Sequence, residues 1–387
     1  MPRITRLGGG SLSELPEAMA QMGLCRPFIV TDDFIATCGL LDRLTGVLDK
    51  EGIGHGLFSE TRSDPTTAVI ESALAAMAVQ QAVRSQAFDC IIGFGGGSPI
   101  DTAKAVALRA DHAMPYADMK VPNQLDAPGL PIIAVPTTAG TGSEATRFTI
   151  ITNEATSEKM LCAGLGLMPV IAIVDYELTL GKPARLTADT GIDSLTHAIE
   201  AYVSRRANAF SDAVALKAMR LIAANIRTAC AEPGHHGARA AMMEGAHLAG
   251  IAFSNASVAL VHGMSRPVGA FFHVPHGLSN AMLLPAVTAW SAPAALDRYA
   301  DCARAMGVAS DGEGDQAAVA ALLHELAALN ADLEVPGPAD CGIEASQWEL
   351  VIPVMAQQAL ASGSPGNNPR VPEAAEIEAL YRQVWGA

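Results

Sequence analysis

The sequence predicts an α/β domain followed by an all-helical domain, and three observations support this. The chain has 387 residues, more than one hydrophobic core usually holds, so two domains are expected. In its first half, short runs rich in β-branched residues alternate with segments of helical periodicity, an order typical of a parallel sheet covered on both faces. After about residue 182 the strand-like runs end, and helical periodicity alone continues.

Five strands are predicted, each a short apolar run that ends at a turn or helix signal: Pro27–Thr31, Gly56–Ser59, Cys90–Phe94, Ile132–Val135 and Val170–Val174. Helical spacing of apolar residues predicts helices over Thr66–Ser85, Thr187–Tyr202, Ser211–Ala231, Ala238–Phe253 and much of Pro293–Ala331. The segment Gly181-Lys182-Pro183 disfavours the continuation of either element type, so the predicted domains are 1–181 and 182–387.

Composition excludes several classes of protein. The net charge is −15 and no run of Lys and Arg occurs, which argues against a nucleic-acid partner. The seven cysteines are scattered and form no CxxC pair, so neither a disulfide framework nor a thiolate zinc site is expected. No apolar run approaches the roughly 20 residues that span a bilayer, and the first residues lack the layout of a signal peptide. We therefore expect a cytoplasmic protein without a membrane partner.

A glycine-rich loop, GGGSPIDTAK (95–104), follows the predicted strand Cys90–Phe94 and opens a helical pattern. Its glycines let a phosphate approach the backbone, and the first amides of the helix are free to bind it. The spacing is not that of the G-x-G-x-x-G dinucleotide fingerprint, so on this loop alone a plain tight turn is the alternative.

A second loop, PTTAGTGSE (136–144), follows the strand Ile132–Val135 and collects hydroxyl and small side chains. Two such loops at two strand ends favour a diphosphate or ribose site, with a Thr-rich capping turn as the alternative for the second. Asp32 ends the first strand, where a carboxylate can bind the adenosine ribose and favour NAD over NADP. Capping of the next helix by Asp32 or Asp33 is the alternative.

A candidate metal site begins with Asp193 and His197, which are four residues apart and therefore on one face of a helix. A hydrogen-bonded buried pair without metal is the alternative. His262 and His276 both lie in apolar surroundings, where a polar side chain needs a partner. One Asp and three neutral His make a mixed oxygen and nitrogen set that suits Fe(II), Zn or Mn and leaves a position open for substrate.

Together these motifs resemble the iron-containing (group III) alcohol dehydrogenase family along nearly the whole chain. The matching stretches are GGGSPIDTAKAVA (95–107), PTTAGTGSE (136–144), TGIDSLTHAIEAY (190–202), AGIAFSNAS (249–257), VHGMSRPVGAFFHVPHG (261–277), NAMLLP (280–285) and GNNPR (366–370). The resemblance implies a dehydroquinate-synthase-like fold, with an N-terminal Rossmann-like nucleotide-binding domain and a C-terminal helical metal-binding domain. It also implies a homodimer or larger homo-oligomer.

The resemblance further implies a ligand set and a reaction. Asp193, His197, His262 and His276 would bind Fe(II), or else Zn or Mn, and the last two histidines would be catalytic. NAD would contact residues of the two loops and their neighbours: Asp32, Gly96, Gly97, Ser98, Thr137, Thr138, Thr141, Lys159 and Leu178. The reaction would be reversible hydride transfer between the nicotinamide and a small alcohol, diol or hydroxy-aldehyde. The alternatives are a metal- and NAD-dependent lyase or cyclase on this fold, a maleylacetate-reductase-like enzyme, which the full ligand set argues against, and a non-catalytic nucleotide-binding protein.

One position departs from the family pattern. Four residues after the third ligand the family usually has a histidine, and this chain has Arg266. A guanidinium stays charged and is a poor general base, but it can hold a substrate carboxylate, phosphonate or sulfonate. Pairing of Arg266 with a structural acid or with the cofactor phosphates is the alternative. His273, three residues before His276, is interpreted as a proton relay, as support for a ligand, or as a surface residue.

Overall fold

The computed structural model describes residues 1–156 and 158–386. These divide into two compact units, Met1–Leu180 and the residues from Gly181 onward. The unit boundary lies next to the Gly181-Lys182-Pro183 segment that separates strand-containing from helical sequence. Each unit is described by itself.

The first unit is an α/β domain built on a six-stranded parallel sheet of order β1-β8-β5-β4-β2-β3. The strands are β1 (Ile4–Leu7), β2 (Pro27–Asp32), β3 (Gly56–Thr61), β4 (Cys90–Gly95), β5 (Ile132–Pro136), β6 (Phe148–Asn153), β7 (Glu158–Ala163) and β8 (Ile171–Val174). Strands β6 and β7 form a separate antiparallel pair. The helices are α1 (Leu15–Gln21), α2 (Asp33–Thr37), α3 (Leu40–Lys50), α4 (Thr67–Arg84) and α5 (Gly97–Asp111).

The central strands are apolar throughout because both faces of the sheet are covered. Successive residues of a strand point to opposite faces, so Phe28 packs with α4 and α5 while Ile29 packs with α1 and α3. All five predicted strands are present. The sequence prediction missed β1 and the β6–β7 pair, in which apolar and polar residues mix and burial is incomplete.

The second unit is helical, and no strand occurs among its described residues. Its helices are α6 (Ala184–Val203), α7 (Ala209–Ala231), α8 (His236–Ala256), α9 (Leu260–Phe272), α10 (His276–Ser291), α11 (Leu296–Met306), α12 (Asp315–Asp332), α13 (Ala345–Ala361) and α14 (Ala374–Trp385). The predicted helical stretch Pro293–Ala331 holds two helices, because Gly307 ends α11 in the left-handed conformation. The predicted fold class is confirmed for both units.

Helix α6 is the centre of this unit, and nearly all of its residues from Thr187 onward are buried. A Cβ at Gly191 would lie 2.8 Å from the Ile226 side chain and 2.9 Å from that of Met242, so α7 and α8 pack closely on α6. A Cβ at Gly277 would lie 2.4 Å from the carbonyl oxygen of Asp189. Gly277 therefore lets the start of α10 rest on the backbone of α6, one turn before Asp193.

Across the described residues, no single helix combines the length and the apolar character needed to cross a membrane. Helices α8 and α9 meet that length and composition test only as a pair, with a bend of 104° between them.

Candidate active site

Three helices bring three predicted metal ligands together. Asp193 comes from the middle of α6, His262 from the first turn of α9 and His276 from the first residue of α10. One ligand atom from each lies within 4.8 Å of the other two. Asp193 Oδ1 lies 3.5 Å from His262 Nε2 and 3.8 Å from His276 Nε2. Ligand atoms bound about 2.1 Å from a tetrahedral ion lie about 3.4 Å apart, so this spacing fits a metal.

His197 lies beside these three ligands rather than among them. Its Nδ1 is 3.9 Å from Asp193 Oδ1, and its ring stacks on Phe253 and on His262 with centroids 4.2 and 4.4 Å apart. That Nδ1 is buried and has no hydrogen-bond partner among the described residues. A buried nitrogen lone pair without a donor, next to a carboxylate, is compatible with a fourth ligand, which stays a prediction.

The environment sets the protonation that metal ligands need. Burial raises the pKa of Asp193, but the surrounding histidines, His197 first, outweigh burial and hold that pKa well below its ordinary value. Burial lowers the pKa of His197 to about 3. At neutral pH the carboxyl is therefore ionised and this imidazole neutral, the states in which both residues bind metal.

Glu200, one turn after Thr196 on α6, fixes the tautomer of His262. Glu200 Oε2 accepts a hydrogen bond from His262 Nδ1 at 2.7 Å. The same carboxylate accepts the backbone amides of Ala259 at 2.8 Å and Val261 at 2.5 Å, at the start of α9. With its proton on Nδ1, His262 turns the lone pair of Nε2 toward Asp193. Such carboxylate–histidine pairs orient and strengthen a metal ligand.

Asn280, one turn after His276 on α10, completes the cluster. Its Nδ2 donates to Asp193 Oδ1 at 2.6 Å and lies 3.2 Å from His262 Nε2 and 3.3 Å from His276 Nε2. A donor thus occupies the point where an oxygen and two imidazole nitrogens converge. Three acceptor atoms that converge on one point provide the environment that a cation requires, so the residues present fit a divalent metal.

Arg266 follows His262 by one turn of α9, and its Nη1 donates to Ser364 Oγ at 3.0 Å. A 3-10 turn at Ser364–Asn367, which overlaps the GNNPR motif, packs against this helix: a Cβ at Gly263 would lie 2.8 Å from Pro365. Burial lowers the pKa of the guanidinium, and the charge of Glu200 opposes that shift. His273 ends α9 with φ 57°, is exposed, and makes no contact to the cluster in the described part of the chain.

The two predicted nucleotide loops are neighbours in the first unit. Gly95 and Pro136 are register partners of β4 and β5, and the amide of Thr137 donates to Gly95 O at 2.8 Å. A Cβ at Gly97 would lie 2.8 Å from Thr141 Cγ2, and a Cβ at Gly96 would lie 3.6 Å from Thr138 Oγ1. Glycine and threonine residues therefore face each other across one loop pair.

Other predicted nucleotide residues differ in what they do locally. Asp32 caps α2, with Oδ1 accepting the amide of Ile35 at 2.8 Å, as the capping interpretation expects. Thr137 Oγ1 is buried and finds no hydrogen-bond partner in the described part of the chain, and the Ser98 side chain is part-exposed at the start of α5. Lys159 pairs with Asp64 at 2.9 Å. Leu178 is fully buried in the core of the first unit, so its side chain serves packing there.

Comparison with known proteins decides the family. One family model, for iron-containing alcohol dehydrogenases, matches residues 2–176, and a second, for the C-terminal part of the Fe-containing alcohol dehydrogenase family, matches residues 187–385. The chain belongs to the iron-containing alcohol dehydrogenase family. The predictions of family and enzyme class are thereby confirmed.

Relatives in this family match over nearly full length. The chain is 35% identical to a lactaldehyde reductase of Escherichia coli K12, covering 98% of this chain and 97% of that protein. It is 36% identical to a 1,3-propanediol dehydrogenase of Citrobacter freundii (100% and 98%) and 33% identical to an NAD-dependent methanol dehydrogenase of Bacillus methanolicus (99% and 98%).

Solved structures agree with the fold. A 1,3-propanediol oxidoreductase matches with a TM-score of 0.93 at 35% identity, covering 99% of this chain and 98% of that one. A sulfoacetaldehyde reductase from Bifidobacterium kashiwanohense, solved in complex with NAD+, matches with a TM-score of 0.87 at 27% identity, covering 100% and 98%.

Sequence reasoning missed Glu200, Asn280 and Ser364. Two of them stand inside matched motifs, THAIEAY and NAMLLP, but their contacts to His262 and Asp193 join residues 18 to 87 positions apart in sequence. The available signal was burial: a carboxylate and an amide within apolar helical segments need partners. Periodicity does not identify which partners these are.

Proposed function

We propose that the protein is an NAD-linked dehydrogenase that oxidises small alcohols, and reduces the corresponding aldehydes, with one divalent ion held by Asp193, His262, His276 and His197. The observation that carries this proposal is the convergence of one oxygen of the buried Asp193 with one imidazole nitrogen each of the buried His262 and the exposed His276, all within 4.8 Å of one another. Fe(II) is the ion we propose, since the family is iron-containing. Zn(II) and Mn(II) suit the same donor set.

The nucleotide is proposed to bind at the loop pair of the first unit. The backbone of Gly96, Gly97 and Ser98 at the start of α5 offers amides to a diphosphate, and the hydroxyls of Thr137, Thr138 and Thr141 offer further donors. The second oxygen of Asp32 remains for the adenosine ribose, and Lys159 and Leu178 are additional proposed contacts. An NAD-dependent relative and an NAD complex of a similar structure support this cofactor.

When bound, the ion supplies a Lewis acid that lowers the pKa of the alcohol and polarises the carbonyl of the aldehyde, while the nicotinamide accepts or donates the hydride. The chain's own residues prepare for this chemistry. Asp193 would contribute negative charge, and the histidines would contribute nitrogen donors, of which His197 is neutral because burial lowers its pKa. Glu200 holds the proton of His262 on Nδ1, which keeps Nε2 available. Asp193, His197, Glu200 and His262 are buried, so the charge of Asp193 is poorly screened, whereas His276 is open to solvent.

The relatives act on lactaldehyde, 1,3-propanediol, methanol and sulfoacetaldehyde by name, which supports a small substrate for this chain. The residues that carry the proton to solvent are not assigned, and a role of His273 as a proton relay stays a prediction. The homodimer or larger homo-oligomer and the cytoplasmic location also stay predictions.

The test is an alcohol and aldehyde panel with NAD(H), on protein loaded anaerobically with Fe(II) and separately with Zn(II). The proposal expects stoichiometric NADH from at least one small alcohol, and turnover that chelation abolishes. Net NADH formation also separates a dehydrogenase from a lyase or cyclase that uses NAD transiently. Bound NAD without net turnover on any alcohol or aldehyde would contradict the proposal.

A further inference from the structure

The guanidinium of Arg266, a part-buried side chain, has few partners within the described chain. A guanidinium carries five N–H donors, and the described residues provide it with one hydrogen bond, from Nη1 to Ser364 Oγ. Its Nε is buried without a partner, and no carboxylate of the described chain lies within ion-pair distance of it. Charges that are partly removed from solvent are ordinarily paired, and the described residues supply no anion to this cation.

Other arginines of the same unit either pair with a carboxylate, as Arg185 and Arg304 do although their Nε atoms also lack an acceptor in the part of the chain that the structure describes, or have an acceptor on every nitrogen, as Arg239 does. Its Nε, Nη1 and Nη2 donate to Pro233 O, Thr187 Oγ1 and Lys182 O, at 3.0, 2.8 and 3.2 Å. Each nitrogen of that guanidinium has an acceptor. Among the described residues, Arg266 has an acceptor on one nitrogen only. A structural role in linking helices therefore does not explain the presence of this arginine.

Glu200 is the acidic residue whose charge acts on Arg266, but its carboxylate already has other hydrogen-bond partners. Both of its oxygens accept hydrogen bonds, from the amides of Ala259 and Val261 and from His262 Nδ1. Glu200 lies beyond ion-pair distance of Arg266, although its negative charge raises the pKa of Arg266 against the effect of burial. The interpretation that Arg266 pairs with a structural acid is therefore not supported among the described residues.

The position of Arg266 relates it to the metal cluster. Residues four apart lie on one face of a helix and about 6 Å apart along its axis. Arg266 and His262 have this spacing on α9, and His262 Nε2 is one of the three atoms that converge with Asp193 and His276. In a short substrate, the anionic group lies a few bonds from the reacting carbon, and this separation is similar to the spacing between Arg266 and His262 of the cluster.

We infer that Arg266 binds the anionic group of a small substrate, so that the enzyme acts on short hydroxy-acids or hydroxy-sulfonates and their aldehydes in preference to neutral alcohols. This inference rests on the proposed function. The planar guanidinium can donate two parallel hydrogen bonds to a carboxylate or sulfonate, and the bond from its Nη1 to Ser364 Oγ restricts its position. The atom that reacts is the alcohol carbon, and Arg266 takes no part in proton or hydride transfer.

The experiment compares oxidation of 3-hydroxypropanoate and of 2-hydroxyethanesulfonate with that of neutral 1,3-propanediol. The variants are Arg266→Gln, Arg266→Lys and Ser364→Ala, with Arg220→Gln, an exposed arginine of α7, as the matched charge control. The anionic-to-neutral ratio of kcat/KM is expected to fall about 30-fold or more in Arg266→Gln, because a charge-assisted bidentate contact is lost. It should fall less in Arg266→Lys and Ser364→Ala, and stay unchanged in Arg220→Gln.

Two further measurements keep the failures of the two proposals distinguishable. Binding of ethanesulfonate and of propanoate to the NAD-loaded wild type and to Arg266→Gln, by calorimetry, does not require turnover. Weaker binding in the variant supports the inference even if no alcohol is oxidised, and in that case the proposed function fails alone. The inference is overturned if Arg266→Gln changes neither the anionic-to-neutral ratio of kcat/KM nor the affinity for the anions. It is also overturned if the variant loses only NAD affinity, a result that assigns Arg266 to the cofactor phosphates.

Discussion

Replacement of Glu200 by glutamine tests whether the residues around the metal ligands set metal affinity. The wild-type carboxylate accepts three N–H groups, Val261 N on Oε1 and both Ala259 N and His262 Nδ1 on Oε2. Glutamine has one acceptor oxygen, so at least one of these donors meets an NH₂ group instead. An unpartnered buried N–H costs about 1–3 kcal/mol, so the free energy of unfolding of the chelated protein should fall by about that much.

The effect on metal is predicted separately. Loss of a hydrogen-bond partner of a metal-ligating histidine typically weakens affinity about 10–100-fold, and we expect that range for Zn(II) bound to Glu200→Gln. Competition with a chromophoric chelator measures the affinity, and urea unfolding in EDTA measures the stability. Glu232→Gln, at the exposed end of α7, is the matched control.

One outcome would refute this reasoning. If stability falls but Zn(II) affinity stays within about threefold of wild type, a difference below 1 kcal/mol, Glu200 only caps the start of α9. That alternative is physically sensible, because Ala259 at the N-cap of α9 has no side chain able to cap the helix.

Two more predictions concern the nucleotide loops and the buried imidazole. Gly97→Ala places a Cβ 2.8 Å from Thr141 Cγ2 and should weaken NAD binding about 10-fold or more, as measured by fluorescence titration. Gly46→Ala is the control, because a Cβ there meets no described atom within 4 Å, and its NAD affinity should not change. Equal affinities of the two variants would show that the loop pair does not bind NAD. The pKa of His197 is lowered to about 3 by burial, so between about pH 6 and 3 the unfolded chain binds a proton that the folded chain does not. In EDTA the stability should therefore decline as the pH falls through this window, and urea unfolding of His197→Gln should show a shallower decline; parallel curves would contradict the assignment.

The sequence was sufficient for the parts of the fold in which local pattern and burial agree. Strands such as β4 and β5 are continuous apolar runs because both faces are covered, and helix α6 carries its ligands at a helical spacing. Strand β1 alternates between part-buried and exposed residues around Arg6, which conceals a strand.

For the site, sequence spacing related Asp193 to His197, and resemblance added the other two ligands. Spacing on α6 implied that these two share an ion, yet the ring of His197 stacks on Phe253 and its nitrogen lies outside the tight group of three. Asn280 and Glu200 could not be predicted, because their roles depend on how α6, α9 and α10 pack. Close packing at Gly277 sets the position of α10 on α6, and no local sequence pattern predicts this contact.

The most direct test of the central claim is a titration of chelator-treated protein with Fe(II) under anaerobic conditions, following bound metal and alcohol-dependent NADH formation together. Activity is expected to rise in step with the ion bound, to one ion per chain, and Asp193→Ala is expected neither to retain the ion nor to turn over. Full alcohol oxidation by metal-free protein, or by Asp193→Ala without bound metal, would contradict the claim.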